Sequence, residues 1–374
     1  MNTSPRTALD SPRPAAPSPQ LPSHRPAVWR RHGTTAMLSV GIVLVILFSA
    51  STGPLATSLL ESAKIIAGHL VPGMAWMRDG SITVSQDQAV WNFRLPRTLL
   101  AGVAGASLAL AGALLQTNVR NPLAEPYILG VSAGAGVGAV LAIVAGSTAV
   151  AGLSLNAAAF LGAAGATVLV YLLAKQGGVI APSRLILAGV ALGSLLAAIT
   201  NFLTITTEAQ NVYSVLFFLL GSVSAASYAQ LVLPGIALAL VATYAMTRSR
   251  ALNAMLAGDE TAIALGVNIT SMRRTLLLST ALLTATTVAV CGGIGFVGLV
   301  VPHAVRMIVG SDHRRMLPLV ILGGAFFLML TDLLARTVAQ PAEIPLGILT
   351  AAVGAPFFLW LMRTSGAGAA GVNQ

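Results

Sequence analysis

Long stretches with almost no Asp, Glu, Lys or Arg recur along the whole chain, and they constrain its fold more than any motif does. A helix needs about 20 apolar residues to cross a bilayer. Thr35–Ala50, Thr98–Val119, Leu185–Thr207 and a run from Leu231 to Thr247 each come close to that length. Pro126–Ala174 is too long for one crossing and is broken near Gly146–Gly152, which makes two. Thr275–Gly292, Phe296–Val309, Leu317–Leu334 and Pro345–Met362 follow. Asn211–Leu220 is a short apolar run, and Phe296–Val309 is short enough to predict a tilted or partly re-entrant helix. The expectation is an all-α polytopic membrane protein with about ten transmembrane helices over residues 35–363. Only 9% of residues are charged, against about 25% in soluble domains. The 37 glycines suit helices that pack closely in lipid.

Residues 1–31 hold seven of the 19 prolines and five arginines without apolar periodicity, which predicts a disordered cytoplasmic tail. Threading the spans alternately puts this tail, Arg120, Lys175, Arg184, Arg248–Arg274, Arg314, Arg315 and Arg363 on one side, 15 of the 21 Lys and Arg. The positive-inside rule makes that side cytoplasmic, with both termini and the tail 364–374. The net charge of +10 is therefore an orientation signal and implies no nucleic-acid partner. Arg94, Arg97 and Arg336 fall on the outer face, against the rule. They read either as anchors to lipid headgroups or as a cationic rim for an acidic partner.

A compact polar island is Arg248–Arg274, with two short apolar runs, Ala251–Ala257 and Thr261–Leu265, split by Gly258, Asp259 and Glu260. Asp259 is expected to N-cap the second run, and Gly266 to end it in the left-handed conformation. Helices of two turns are marginal alone in water, so this island reads as a docking element at the membrane face, the plain alternative being a solvated loop.

Other patterns exclude functions. Gly293–Gly298 matches G-x-G-x-x-G, yet no βαβ unit surrounds it and no acidic residue follows at the required distance. Gly189 and Gly193 form a G-x-x-x-G, read as a packing face or a flat pore lining. The single Cys291 and five scattered histidines suggest no disulfide, metal centre or catalytic set. Asp332 is nearly alone among intramembrane carboxylates, which argues against a proton- or sodium-coupled carrier.

Two blocks carry more specific wording. One runs Arg94-Leu95-Pro96-Arg97-Thr98-Leu99 through Gln116 and Asn121-Pro122-Leu123-Ala124-Glu125-Pro126 to Leu129-Gly130-Val131-Ser132. The other runs from Gly295-Phe296-Val297-Gly298 through Pro302-His303, Arg306, Asp312-His313-Arg314, Asp332 and Arg336 to Glu343-Ile344-Pro345-Leu346-Gly347 and Gly354-Ala355-Pro356-Phe357. With Gly258-Asp259-Glu260, Ala262 and Leu265-Gly266-Val267, these resemble the FecCD family, permeases of type II ABC importers for iron-siderophores, haem and vitamin B12.

The resemblance spans about Thr35 to Arg363. It implies a ten-helix subunit of a homodimer in the bacterial inner membrane, without catalytic residues or a cofactor of its own. ATP and Mg would be bound by two copies of a cytoplasmic ATPase subunit, docked at Ala251, Leu256, Gly258, Asp259, Glu260, Ala262, Leu265 and Gly266. A periplasmic substrate-binding protein would dock at Arg94, Arg97 and Arg336. The family's cytoplasmic gate matches Ala181, Pro182 and Ser183, where Pro182 replaces an expected small polar residue; Gly189 and Gly193 continue the pathway. The implied cargo is an iron complex, a siderophore or haem. Vitamin B12 by the same mechanism is the alternative, and an ATP-independent secondary transporter or an intramembrane enzyme are the rival classes.

Overall fold

The computed structural model describes residues 28–149, 153–176, 179–180 and 182–369. Fifteen α-helices follow one another: α1 Val28–Ser51, α2 Leu59–Leu70, α3 Val84–Gln88, α4 Leu95–Val119, α5 Val131–Ala149, α6 Leu155–Ala174, α7 Pro182–Thr206, α8 Ala209–Leu220, α9 Tyr228–Thr247, α10 Ser249–Ala257, α11 Asp259–Ala264, α12 Ile269–Cys291, α13 Val297–Val309, α14 His313–Thr337 and α15 Leu346–Ala369. The sole ladder among the described residues pairs Lys175–Gln176 with Val179–Ile180, antiparallel, between α6 and α7. Most of the expected N-terminal tail (1–27), residues 150–152 of the expected break, Ala181 of the gate triplet and the last residues of the C-terminal tail (370–374) lie outside the described residues.

Among the described residues, seven helices are long and apolar enough to cross a membrane, and α5, α8, α13 and α15 contribute shorter apolar segments. Ten of these eleven match the expected spans. Helix α8, at 12 residues, rises only about 18 Å, short of the ~30 Å hydrocarbon core. The helices overrun the charge-free stretches because caps, not hydropathy, end them. Asn268 accepts the Ser271 N–H and starts α12 six residues before Thr275, while Asp312 accepts the Arg314 N–H and starts α14 before Leu317. Between α1 and α4 lie two helices that hydropathy did not announce. Ser58 with Glu61 and Thr83 with Gln86 form reciprocal capping boxes that open α2 and α3.

Helix α4 is the axis of the bundle. Its apolar window is 89% buried, and it packs against α14, α12, α13 and α9. Glycines permit this approach. A methyl on Gly105 would lie 2.1 Å from the Gly324 carbonyl oxygen of α14, and one on Gly112 would lie 1.9 Å from that of Gly298 in α13. Backbones this close gain dispersion contact over a long seam, which drives helix association where lipid offers no hydrophobic gradient. Helices α5 and α6 repeat the device, with Gly134 against Gly162.

Candidate functional site

The two ends of the bundle collect the chain's polar chemistry. At one end, α10 turns its buried Leu252 and Met255 inward and packs on α14 and α4. Polar contacts fix its position. Asn253 Oδ1 accepts the His313 N–H at 2.9 Å, and Asn253 Nδ2 donates to Asp312 Oδ1 at 2.8 Å. The buried His313 ring lies between Asn253 Oδ1 (2.7 Å) and Thr117 Oγ1 (2.8 Å). Partial burial pulls the Asp312 carboxyl upward, but the Asn253 and Arg314 hydrogen bonds and the Arg315 and Arg314 charges outweigh it and hold the group below the usual carboxylate range.

Helix α11 follows at once. Its N-cap is Gly258, at φ +123°, rather than Asp259. A glycine can take that backbone angle, and the carboxylate one position later is freed for longer reach. Asp259 meets Arg273 of α12 at 2.9 Å and Arg120, just beyond α4, at 3.5 Å. Gly266 does end the helix, at φ +78°. The Gly266 N–H donates to the Ile263 carbonyl and the Val267 N–H to the Ala262 carbonyl, the paired bonds of a Schellman motif. Ala262 is buried and Ala251 half-buried, while Leu256, Glu260, Ile263 and Leu265 face outward, Leu265 at 68% exposure. A braced pair of short helices thus presents an apolar face with no neighbour among the described residues.

At the opposite end, Arg94, Arg97 and Arg336 line one cavity of 610 Å³ together with Glu343. They are far more buried than an exposed rim would need, Arg94 at 6% and Arg97 at 9% exposure. Arg94 donates to the Ala50 carbonyl (2.9 Å) and the Thr57 hydroxyl (2.6 Å), tying α4 to the end of α1. Arg97 donates to Asp332 (2.9 Å) and Glu343 (2.8 Å). Arg336 donates to the Ser49 hydroxyl and lies 3.3 Å from Asp332, one helical turn away. Asp332, nearly alone in the sequence, is the fully buried hub between two guanidiniums.

Pro182 opens α7, and Ser183 beside it is exposed. Gly189 is buried, and a methyl there would sit 1.9 Å from the Ile128 carbonyl oxygen; a methyl on Gly193 would sit 4.0 Å from the Gly130 Cα. Both glycines pack α7 against the turn before α5. Within the bundle, the structure joins residues that spacing had not linked. Glu125 accepts the Phe296 N–H, Tyr127 the Ile294 N–H (2.8 Å), and Gln116 bridges the Gly298 carbonyl (3.1 Å) and Arg306 (3.1 Å). These contacts hold Gly292–Phe296 as a non-helical lead into α13, so the G-x-G-x-x-G glycines serve a buried turn. No group of three His, Cys, Asp or Glu able to hold a metal ion occurs among the described residues.

The FecCD transport family model matches residues 40–364. The cobalamin import system permease protein BtuC of Halobacterium salinarum is 38% identical over 91% of this chain and 98% of its own length. The hemin transport system permease protein HmuU of Yersinia pestis is 40% identical over 74% and 85%. A solved metal-chelate type ABC transporter in an inward-facing conformation superposes at TM-score 0.75, with 32% identity over 89% of this chain and 99% of that one. The chain belongs to the FecCD transport family and has the fold of a type II ABC importer permease.

Proposed function

We propose that the chain is the membrane subunit through which an iron complex, an iron-siderophore or haem, enters the cytoplasm of a bacterium across its inner membrane. Cobalamin is the second reading, favoured by a relative named for it that aligns over nearly its whole length. In this reading two copies of the chain form the pathway, and two ATPase subunits dock on α10 and α11. The observation that carries it is the outward apolar face of Leu256, Ile263 and Leu265 on a braced platform.

The force path follows from the braces. Closure of the ATPase pair presses on α11, and Asp259 passes the displacement to α12 through Arg273 and to the end of α4 through Arg120. Asn253 passes it from α10 to α14. Because α12 and α14 both pack extensively on α4, they move as rigid bodies, the usual basis of alternating access. At the far end a binding protein delivers the chelate over the cavity lined by Arg94, Arg97 and Arg336. Glu343 and Asp332 neutralise part of that charge, so an acidic partner meets a moderated positive field.

The chain would be co-expressed with its candidate ATPase and binding protein and reconstituted in vesicles. Uptake is expected to require ATP and to accept iron complexes over cobalamin. Leu256→Glu with Leu265→Glu is expected to abolish ATPase co-purification while leaving the thermal midpoint of the isolated chain unchanged, since both side chains are exposed. Undiminished co-purification, or uptake without ATP, overturns the reading.

A further inference from the structure

A cavity of 480 Å³ opens beside the island where α9 ends and α14 begins, lined by Met246, Thr247, Ser249, Arg250, His313, Arg314 and Pro318. Its volume falls within the ~300–1,000 Å³ range of small-ligand sites. Arg250 and Arg314 are exposed, and neither guanidinium has an ion pair or hydrogen bond among the described residues. Asp312 accepts from Asn253, lies 3.7 Å from Arg315 and also acts on the Arg314 charge. His313 is buried, with both ring nitrogens in contact with protein groups. The cavity is therefore lined by two cations, Arg250 and Arg314, the second within electrostatic reach of Asp312, and by no carboxylate.

Its place in the fold selects the anion. Met246 and Thr247 form the last turn of one span, and Pro318 lies in the second turn of another. The cationic side is thus at the end of two spans, while on the span side Met246 is exposed and Pro318 half-buried. We propose that this cavity holds the phosphate of an anionic phospholipid, gripped between Arg250 and Arg314, with an acyl chain along Met246 and Pro318. Basic pockets between helices at a membrane face suit such headgroups, and each cation near the surface strengthens the attraction several-fold. The bound lipid screens two like charges and braces the junction of α9 and α10 at Arg248, independently of the cargo carried.

Full-length protein would be extracted in mild detergent and its retained phospholipid counted by native mass spectrometry. Wild type is expected to keep phosphatidylglycerol, and Arg250→Gln with Arg314→Gln to lose roughly tenfold or more of it. Arg250→Lys with Arg314→Lys is expected to retain most of the lipid, which separates charge from misfolding. Arg248→Gln with Arg274→Gln removes the same charge from exposed positions outside the cavity and is expected to leave retention intact. Equal lipid loss in that control overturns the site, as does full retention in the Arg250 and Arg314 glutamine variant. In nanodiscs, phosphatidylglycerol is expected to raise the thermal midpoint above that in pure phosphatidylcholine for wild type alone. Millimolar inorganic phosphate reproducing that rise in phosphatidylcholine would assign the site to a soluble phosphate and overturn the lipid as its source.

Discussion

Asp332 is fully buried, with one oxygen on Arg97 and the other near Arg336. Removing one member of such a cluster leaves an uncompensated charge at a cost of about 3–5 kcal/mol. Asp332→Asn is therefore expected to lower the midpoint of thermal unfolding markedly. Adding Arg336→Met to Asp332→Leu is expected to restore much of it, because Arg97 keeps Glu343. Asp312 makes a different prediction. Its carboxyl titrates lower in the folded chain than in the unfolded one. The stability it contributes is thus fully present above the ordinary carboxylate value and disappears as pH falls through its depressed folded value. Hydrogen exchange at the His313 amide, corrected for intrinsic rate, should stay flat from neutral pH to about 5 and rise only in stronger acid. In Asp312→Asn that acid dependence should vanish. Sequence marked Arg94, Arg97 and Arg336 as anomalous cations because they break the positive-inside bias. It could not reveal that Asp332 and Glu343 meet them, because those pairs close across 235 and 246 residues.

Helices α10 and α11 form only because they lean on the bundle. The turn at Gly266 holds φ at +78°, where a β-branched side chain strains the backbone by roughly 1–2 kcal/mol. Gly266→Val is expected to fray α11 and weaken ATPase co-purification, whereas Gly266→Asn, which tolerates that region, should retain most of it. Equal co-purification by both variants would detach docking from the Schellman turn. The two short runs and their glycines could be read from sequence because helix propensity and termination are local. The role of Asp259 could not, because the backbone at Gly258 had already set the cap one residue earlier. The same division holds for the spans. Their number followed from hydropathy, while their ends followed from Asn268, Asp312 and the two capping boxes, polar signals that a hydropathy window overlooks. Ser58-x-x-Glu61 and Thr83-x-x-Gln86 stood in the sequence as written notice of α2 and α3.

At the scale of the whole molecule, the proposed orientation puts α11 in the cytoplasm and α3 outside. The native chain has one cysteine, Cys291, only 2% exposed, so the folded protein should resist thiol reagents until unfolded. On a Cys291→Ser background, Leu265→Cys is expected to be shielded from a membrane-impermeant maleimide in whole cells and labelled in inverted vesicles. Val84→Cys, at a position 74% exposed, should behave oppositely. The reverse pattern would invert the threading and with it the proposed direction of transport.

The near-complete enclosure of α4 also bears on how the chain is made. Arg97 emerges from the ribosome 235 residues before Asp332, its buried partner. At about 5–20 residues per second, that gap lasts roughly ten seconds to a minute. Throughout it, a glycine-rich helix meant for protein neighbours must wait among lipids with a guanidinium unanswered. Until α14 is made, the chain lacks that contact and stands open to quality-control proteolysis.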